Sequence, residues 1–200
     1  MLDVILSALL LVVFSPILLI IALSSIACLG RPILFTQERP GLRGKPFKLY
    51  KFRTMKVCEP QSSSPLTDAQ AVSTDEARLT SYGAFLRNSS LDELPELFNI
   101  LKGDMSFVGP RPLLVEYLTL YSQTQARRHE VRPGLTGLAQ VNGRNSLDWA
   151  TRFTYDVSYV DAVSFKLDCS IIWQTFAVVF SRKGISSGER VTMEPFNGNN

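Results

Sequence analysis

The chain has 200 residues, enough for one domain with a real core and one accessory element. A formal net charge of only +3 makes no case for a nucleic-acid partner. Three widely spaced cysteines (Cys28, Cys58 and Cys169) without a C-x-x-C pair, and His129 as the single histidine, argue against a zinc site or a disulfide framework.

The first element is "VILSALLLVVFSPILLIIALSSIACLG", an uncharged run from Val4 to Gly30 that is long enough to be a membrane element. Its flanks exclude a cleaved signal peptide, because no Lys or Arg precedes the run and basic residues follow it. Between Arg31 and Lys56 eight Lys and Arg residues face Glu38 alone, which places this flank on the cytoplasmic side. Pro16 sits near the middle of the run, directly after Ser15. It cannot donate to the carbonyl of Val12, although the Ser15 hydroxyl can help satisfy freed backbone groups. A mild kink leaves a spanning helix, the reading that hydropathy favours. A sharp one leaves two halves of roughly 20 Å, each too short to cross, that enter and leave by one face.

From Ile33 to Met55 apolar and polar residues alternate around "RPGLRGKP", the pattern of a β-hairpin. Residues 57–77 are rich in Ser, Thr and Pro and read as a mobile loop. "RLTSYGAFLRN" predicts a short helix. In "SLDELPELFNILKG" the stripe of Leu91, Leu94, Leu97, Phe98 and Leu101 predicts another, closed by Gly103 and opened by a capping box of Ser90 and Glu93. "LLVEYLTLYSQTQARRHEV" reads as one amphipathic helix, with His129 on a solvated face. "RPGLTGLAQVNGRN" is a glycine-rich segment, either an ordinary loop or one shaped to approach a ligand. "FKLDCSIIWQTFAVVFSRKG" predicts a helix that packs in the core or lies on a membrane surface with Trp173, Phe176 and Phe180 inward.

The polar part thus combines an acidic pair, Asp92 and Glu93, with arginines on Gly/Pro-rich segments: Arg87, Arg111, Arg132 and Arg144. Arginine suits bidentate contacts to phosphate, and a carboxylate pair can hold Mg²⁺ together with phosphate oxygens. No Walker loop, dinucleotide fingerprint or kinase signature is present. The residues alone therefore point to phosphate chemistry at a membrane.

The set "SPILLI", "FTQERPGLRGKPFKLYKFRTM", "RNSSLDELPELFNILKGDMSFVGPRPLLVEYL", "RPGLTGLAQVNGRN" and "FNGNN", in this order, resembles the monotopic polyprenyl-phosphate phosphoglycosyl transferases, or bacterial sugar transferases. The resemblance implies a small α/β catalytic domain (31–200) with helices partly embedded at the membrane interface. It also implies that residues 1–30 form a re-entrant membrane helix broken at Ser15 and Pro16, against the spanning preference of hydropathy. The implied reaction moves a phosphosugar from a UDP-sugar to undecaprenyl phosphate and releases UMP, on the cytoplasmic face of the bacterial inner membrane. Carried onto this chain, Asp92 is the nucleophile, Glu93 its partner on Mg²⁺, and Lys51, Arg87, Arg111 and Arg144 line the phosphates. A helix start is expected to keep Asp92 ionised. Within this resemblance the tail "EPFNGNN" tilts the sugar toward N,N′-diacetylbacillosamine, with N-acetylgalactosamine and other UDP-linked amino sugars left open. The rivals are a non-catalytic membrane-anchored scaffold and a UDP-sugar hydrolase.

Overall fold

The computed structural model describes residues 2–57, 78–143, 146–181, 195–198 and 200, the side chains of 179–181 excepted. Two-stranded sheets alternate with helices, a mixed α/β arrangement consistent with the expected class.

Helix α1 (Leu2–Leu29) runs as one element of 28 residues with Pro16 inside it, so the apolar run does not separate into two helices. At the proline the backbone is satisfied as anticipated: Ser15 Oγ donates to the Val12 carbonyl at 2.7 Å, the acceptor that Pro16 cannot serve. One side of α1 packs along the polar domain. Leu10, Leu11 and Phe14 join the cluster of Leu49, Leu97, Ile100 and Met105, and Ile21 joins Phe52 and Leu86. The opposite side leaves Leu9, Val12, Leu19, Ile20 and Leu23 exposed.

Both ends of α1 are tied to the domain. Asp3 Oδ2 accepts from Ser106 Oγ at 2.7 Å, while Arg53 donates to the carbonyls of Leu29 and Gly30, the latter at 2.6 Å. Tyr82 fastens the second half, its hydroxyl lying 2.7 Å from Ser24 Oγ and 3.0 Å from Ser25 Oγ.

The hairpin forms where expected. Strand β1 (Leu34–Pro40) pairs antiparallel with β2 (Pro46–Phe52), with Leu34 opposite Phe52 and Pro40 opposite Pro46. Helix α2 (Ser81–Asn88) follows, its first turn capped by Thr80. It lies so close to the hairpin that a Cβ at Gly83 would overlap the Thr54 carbonyl. Residues 58–77, most of the expected loop, lie outside the described residues.

Two expectations about the next helix fail. There is no capping box. Ser90 adopts a left-handed conformation (φ 56°), and its N–H is already taken by the Arg87 carbonyl. Leu91–Glu93 forms a 3₁₀ turn, and helix α3 (Glu96–Lys102) begins only after Pro95. This delayed start changes which side faces inward: Glu96, Leu97, Asn99 and Ile100 are buried, whereas Phe98 and Leu101 are exposed. Asn99 explains the choice. Its amide donates to the Lys48 carbonyl at 2.6 Å and accepts from the Tyr50 N–H at 3.1 Å, standing in for a third strand beside β2. Gly103 closes the helix at φ 82°, as expected.

Strand β3 (Ser106–Val108) pairs in parallel with β4 (Gly134–Thr136), so part of the glycine-rich segment is sheet rather than loop. The helix expected over "LLVEYLTLYSQTQARRHEV" is broken into a 3₁₀ turn (Val115–Thr119), one α turn (Gln123–Ala126) and a second 3₁₀ turn (Arg127–His129). The break has a local cause. Ser122 and Gln125 form a full capping box that restarts the chain, while Tyr117 and Tyr121 turn into an aromatic cluster. His129 is half-buried, and its pKa is pushed down to about 4 by burial and by Arg128, so the solvated-face reading fails there. Cys28 and Cys169 are free thiols; Cys58 falls outside the described residues.

Helix α4 (Trp149–Asp161) is capped by the Asp148 side chain, which accepts from the Thr151 N–H. It carries Trp149 and Phe153 into a cluster with Leu113, Tyr117 and Phe196. Phe196 brings the C-terminal tail into this core. Helix α5 (Phe165–Ser181) buries Ile171 against Val108 and Tyr159, while Trp173 remains 77% exposed beside exposed Phe165 and Phe176. Core packing therefore accounts for one side only, and an aromatic side faces outward as an interfacial helix requires.

Candidate active site

The site is assembled from three short pieces, each positioned by the fold. Strand β2 supplies Lys51, the residue after Tyr50, whose N–H is held by Asn99 at the strand edge. The 3₁₀ turn supplies Asp92 and Glu93, and the segment after β3 supplies Arg111. One turn before Asn99 on α3, Glu96 reaches the same lysine.

Lys51 Nζ lies 2.6 Å from Glu93 Oε1 and 3.1 Å from Glu96 Oε1. Arg111 Nη2 lies 3.0 Å from the same Glu93 oxygen. Glu93 is thus clamped by two cations through one oxygen. Asp92 differs: it is 8% exposed, and its carboxylate makes no hydrogen bond or ion pair among the described residues. Arg87 stands at the other flank, Nε donating to Thr54 Oγ1 at 3.0 Å.

The electrostatics separate the three acids. Burial pushes Glu93 up, but the charges and hydrogen bonds of Lys51 and Arg111 outweigh it and hold the group well below the usual carboxylate range. Burial and the neighbouring Glu93 charge push Asp92 up to about 6, against the pull of Lys51, Arg111 and Arg87. The expectation that a helix start keeps Asp92 ionised is therefore incomplete: desolvation opposes it. Glu96 is raised to about 7, by burial and by Glu93 against the attraction of Lys51. Burial lowers Lys51, yet the acids around it leave its pKa above the ordinary lysine value.

Lys51, Asp92, Glu93, Arg87 and Arg111 line one cleft of about 1640 Å³, in which eight Lys and Arg residues face Asp92, Glu93 and Asp156. Such a surface holds a multiply charged anion, and the unengaged Asp92 carboxylate sits within it. Among the described residues no three or more His, Cys, Asp or Glu side chains converge as a metal cage. The free carboxylate of Asp92 and the Oε2 of Glu93 are hard oxygen donors. They suit Mg²⁺, which takes one or two carboxylates and completes its shell with phosphate oxygens and water.

The structure brings together Lys51, Asp92, Glu93 and Arg111, with Arg87 on the rim. Arg144 lies outside the described residues. Arg132 is elsewhere, its Nε donating to the Gly103 carbonyl at 2.9 Å. Sequence reasoning did not single out Glu96. The available signal was the spacing of Glu93, Glu96 and Asn99 across Pro95, which puts three polar groups on the side that faces β2.

Comparison with known proteins bears on this site. The family description "Bacterial sugar transferase" matches residues 1–182. An uncharacterized sugar transferase, EpsL, from Bacillus subtilis (strain 168) is 53% identical over 170 residues, covering 85% of this chain and 81% of that protein. A UDP-glucose:undecaprenyl-phosphate glucose-1-phosphate transferase from Klebsiella pneumoniae is 43% identical over 90% of this chain. An undecaprenyl-phosphate galactose phosphotransferase from Salmonella typhimurium is 37% identical over 91% of it. The chain spans only 40% of the length of each of these last two relatives. With its apolar N-terminal helix and its cationic cleft, the chain belongs to the bacterial sugar transferase family, a family of enzymes.

Proposed function

We propose that this enzyme transfers a phosphosugar from a UDP-sugar to undecaprenyl phosphate and releases UMP, with Asp92 as nucleophile. The observation that carries the reading is the state of Asp92: a buried carboxylate without a hydrogen-bond or ion-pair partner among the described residues, in a cleft rich in cations. An Asp92 oxygen attacks the β-phosphorus of the donor. The bond from that phosphorus to the bridging oxygen breaks, and UMP leaves with the electron pair. The enzyme then holds an aspartyl phosphosugar, a mixed anhydride. An oxygen of the lipid phosphate attacks the same phosphorus, the acyl–oxygen link to phosphorus breaks, and the Asp92 carboxylate is regenerated. One phosphoanhydride replaces another, so no further energy source is needed.

The supporting residues have separate tasks. Lys51 and Arg111 hold Glu93 fixed, and Arg87 and Arg111 supply positive charge against the donor pyrophosphate. Mg²⁺ on Asp92 and Glu93 would neutralise phosphate charge as the anionic nucleophile approaches. Arg144 is assigned to the phosphates by family resemblance.

We place the site at the cytoplasmic face of the bacterial inner membrane, with α1 entering and leaving by that face. The ties at both ends of α1 support this. A helix of about 42 Å standing across the bilayer would carry Asp3 to the far side, away from Ser106 in the same domain as Arg53. The exposed aromatic side of α5 supports interfacial seating. The sugar is proposed as N,N′-diacetylbacillosamine. Since Phe196 of the tail is a core residue, packing accounts for part of that segment, and the names of the relatives add glucose and galactose as rivals.

The test is a panel of UDP-sugars with detection of UMP, combined with mass spectrometry of enzyme exposed to donor alone. A phosphosugar adduct on Asp92 is the expected result. Product formation without any adduct would refute the mechanism, and sugar-phosphate release without lipid would indicate the hydrolase.

A further inference from the structure

The cleft holds a second group of polar side chains, on the flank of Arg111. Arg39 comes from β1, Arg152 from α4, and Gln140 from the single helical turn Leu138–Val141. All three line the cleft with Arg111. Charge places them. Arg111 faces Asp92 and also faces Arg39 and Arg152, whereas Arg87 is held at Thr54 on the other side of Asp92. Burial and the Arg111 charge lower the pKa of both Arg39 and Arg152, so this flank carries positive charge in excess. Asp156, the carboxylate nearest Arg152, gives Oδ2 to both Nε and Nη2 of Arg128, at 3.0 and 2.7 Å.

Gln140 and Arg39 also keep hydrogen-bonding atoms in reserve. Both amide atoms of Gln140 and the Nε of Arg39 are buried without a hydrogen-bond partner among the described residues. Arg39 is aimed by Gln37, which accepts from its Nη2 at 2.6 Å, and Arg152 is laid over the Trp149 ring at 5.2 Å. A buried amide left without partners opposes folding, so such a group in an open cleft points to a ligand.

The surroundings indicate which ligand. Next to Gln140, strand β4 lies between groups of both apolar helices: Leu135 packs on the same core cluster as Leu10 and Phe14 of α1, and Thr136 Oγ1 lies 2.7 Å from Thr175 Oγ1 of α5. The cleft wall continues over Leu10, Phe14 and Phe176. A phosphate on this flank would therefore have an apolar exit beside it.

Resting on the phosphosugar transfer proposed above, we infer that Arg39, Gln140 and Arg152 form the phosphate subsite of the polyprenyl acceptor, whose chain leaves between α1 and α5. The donor pyrophosphate takes the Arg87 flank, and Arg111 lies between the two, so both substrates present phosphorus and oxygen to Asp92 in turn.

The experiment uses the full chain in lipid nanodiscs with Gln140→Glu, which sets a carboxylate against the phosphate, and Arg39→Gln. Arg152 is left intact because it packs on Trp149. Donor alone is expected to give an unchanged burst of UMP in both variants, while KM for undecaprenyl phosphate rises tenfold or more. Loss of the burst or a raised donor KM with unchanged acceptor KM would assign the flank to the donor and overturn the inference. No change in either would reduce Gln140 to a water site and overturn it equally. A binding arm keeps this test separate from the reaction scheme. A short-chain polyprenyl phosphate should bind the wild type at least tenfold more tightly than Gln140→Glu, and the matching polyprenol should bind both alike. Equal binding of the phosphate to both proteins sinks the subsite, whereas absence of any UMP burst in the wild type sinks the proposed reaction and leaves this binding result standing.

Discussion

Two buried charge clusters in this protein obey opposite rules. Arg128 is 2% exposed and fully used: it reaches Asp156 twice, the Arg111 carbonyl at 2.7 Å and the Tyr121 hydroxyl at 3.3 Å. At the cleft, three carboxylates (Asp92, Glu93 and Glu96) lie around Lys51 and Arg111, and Asp92 has no hydrogen-bond or ion-pair partner among the described residues. The first cluster joins α4 to the segment carrying Arg111 and has no group left for a ligand. The second retains unsatisfied charge, which opposes folding and is available to a substrate. A buried ion network is thus structural or chemical according to what it leaves unpaired.

The strongest way to break the comparison is to neutralise the unpaired member. Asp92→Asn should abolish the phosphosugar adduct and lower turnover at least about 10³-fold, as measured by UMP release. The same change should stabilise the fold, because the folded state disfavours the charged acid. The sign follows from the raised pKa. Between the ordinary Asp value of 3.8 and about 6 the folded form binds more protons, so ionised Asp92 destabilises increasingly as pH rises through that window. At pH 8 the variant should therefore gain about 3 kcal/mol over wild type, and denaturant titrations should show the gap closing by about pH 4.

The satisfied cluster should respond in the opposite manner. Arg128→Met strands Asp156 in the interior and should cost about 3–5 kcal/mol in equilibrium unfolding, without any gain in stability at high pH. The double variant Arg128→Met/Asp156→Leu should recover most of that loss.

A smaller effect sharpens the pH argument. The donor half-reaction should slow about tenfold per unit as pH falls below about 6, since only the ionised Asp92 attacks. A rate independent of pH from 5 to 8 would contradict the position of Asp92 in that scheme. The smallest change is expected from Glu96→Gln, which removes one of the two acids beside Lys51 while keeping the α3 face intact. A two- to fivefold change in turnover, with a Tm equal to or above that of wild type, would mark Glu96 as a support for Lys51 rather than a fold requirement.

Much of the site was legible without coordinates. Asp92 and Glu93 stood out as adjacent acids among arginines, and Lys51 followed from the family resemblance alone. Local alternation predicted β1 and β2, because a two-faced strand with a Gly/Pro turn leaves its signature in consecutive residues. The failures share a cause. Helical periodicity assigned Phe98 and Leu101 to the interior, but Asn99 is needed against the edge of β2, where its partner Lys48 is 51 residues away in sequence. Glu96 was invisible for the same reason, and so was the breakup of residues 115–129, where Tyr117 and Tyr121 answer to Phe153 and Phe196 rather than to a helical stripe.

By itself the sequence determined that an apolar N-terminal helix precedes a polar domain rich in phosphate-binding chemistry, because hydropathy, charge and turn residues act over a few positions. Only the tertiary structure decided which acid would be clamped and which left open. That difference depends on Lys51, Arg111 and Glu96 meeting from separate elements, and on how much water the packed cleft withholds from Asp92.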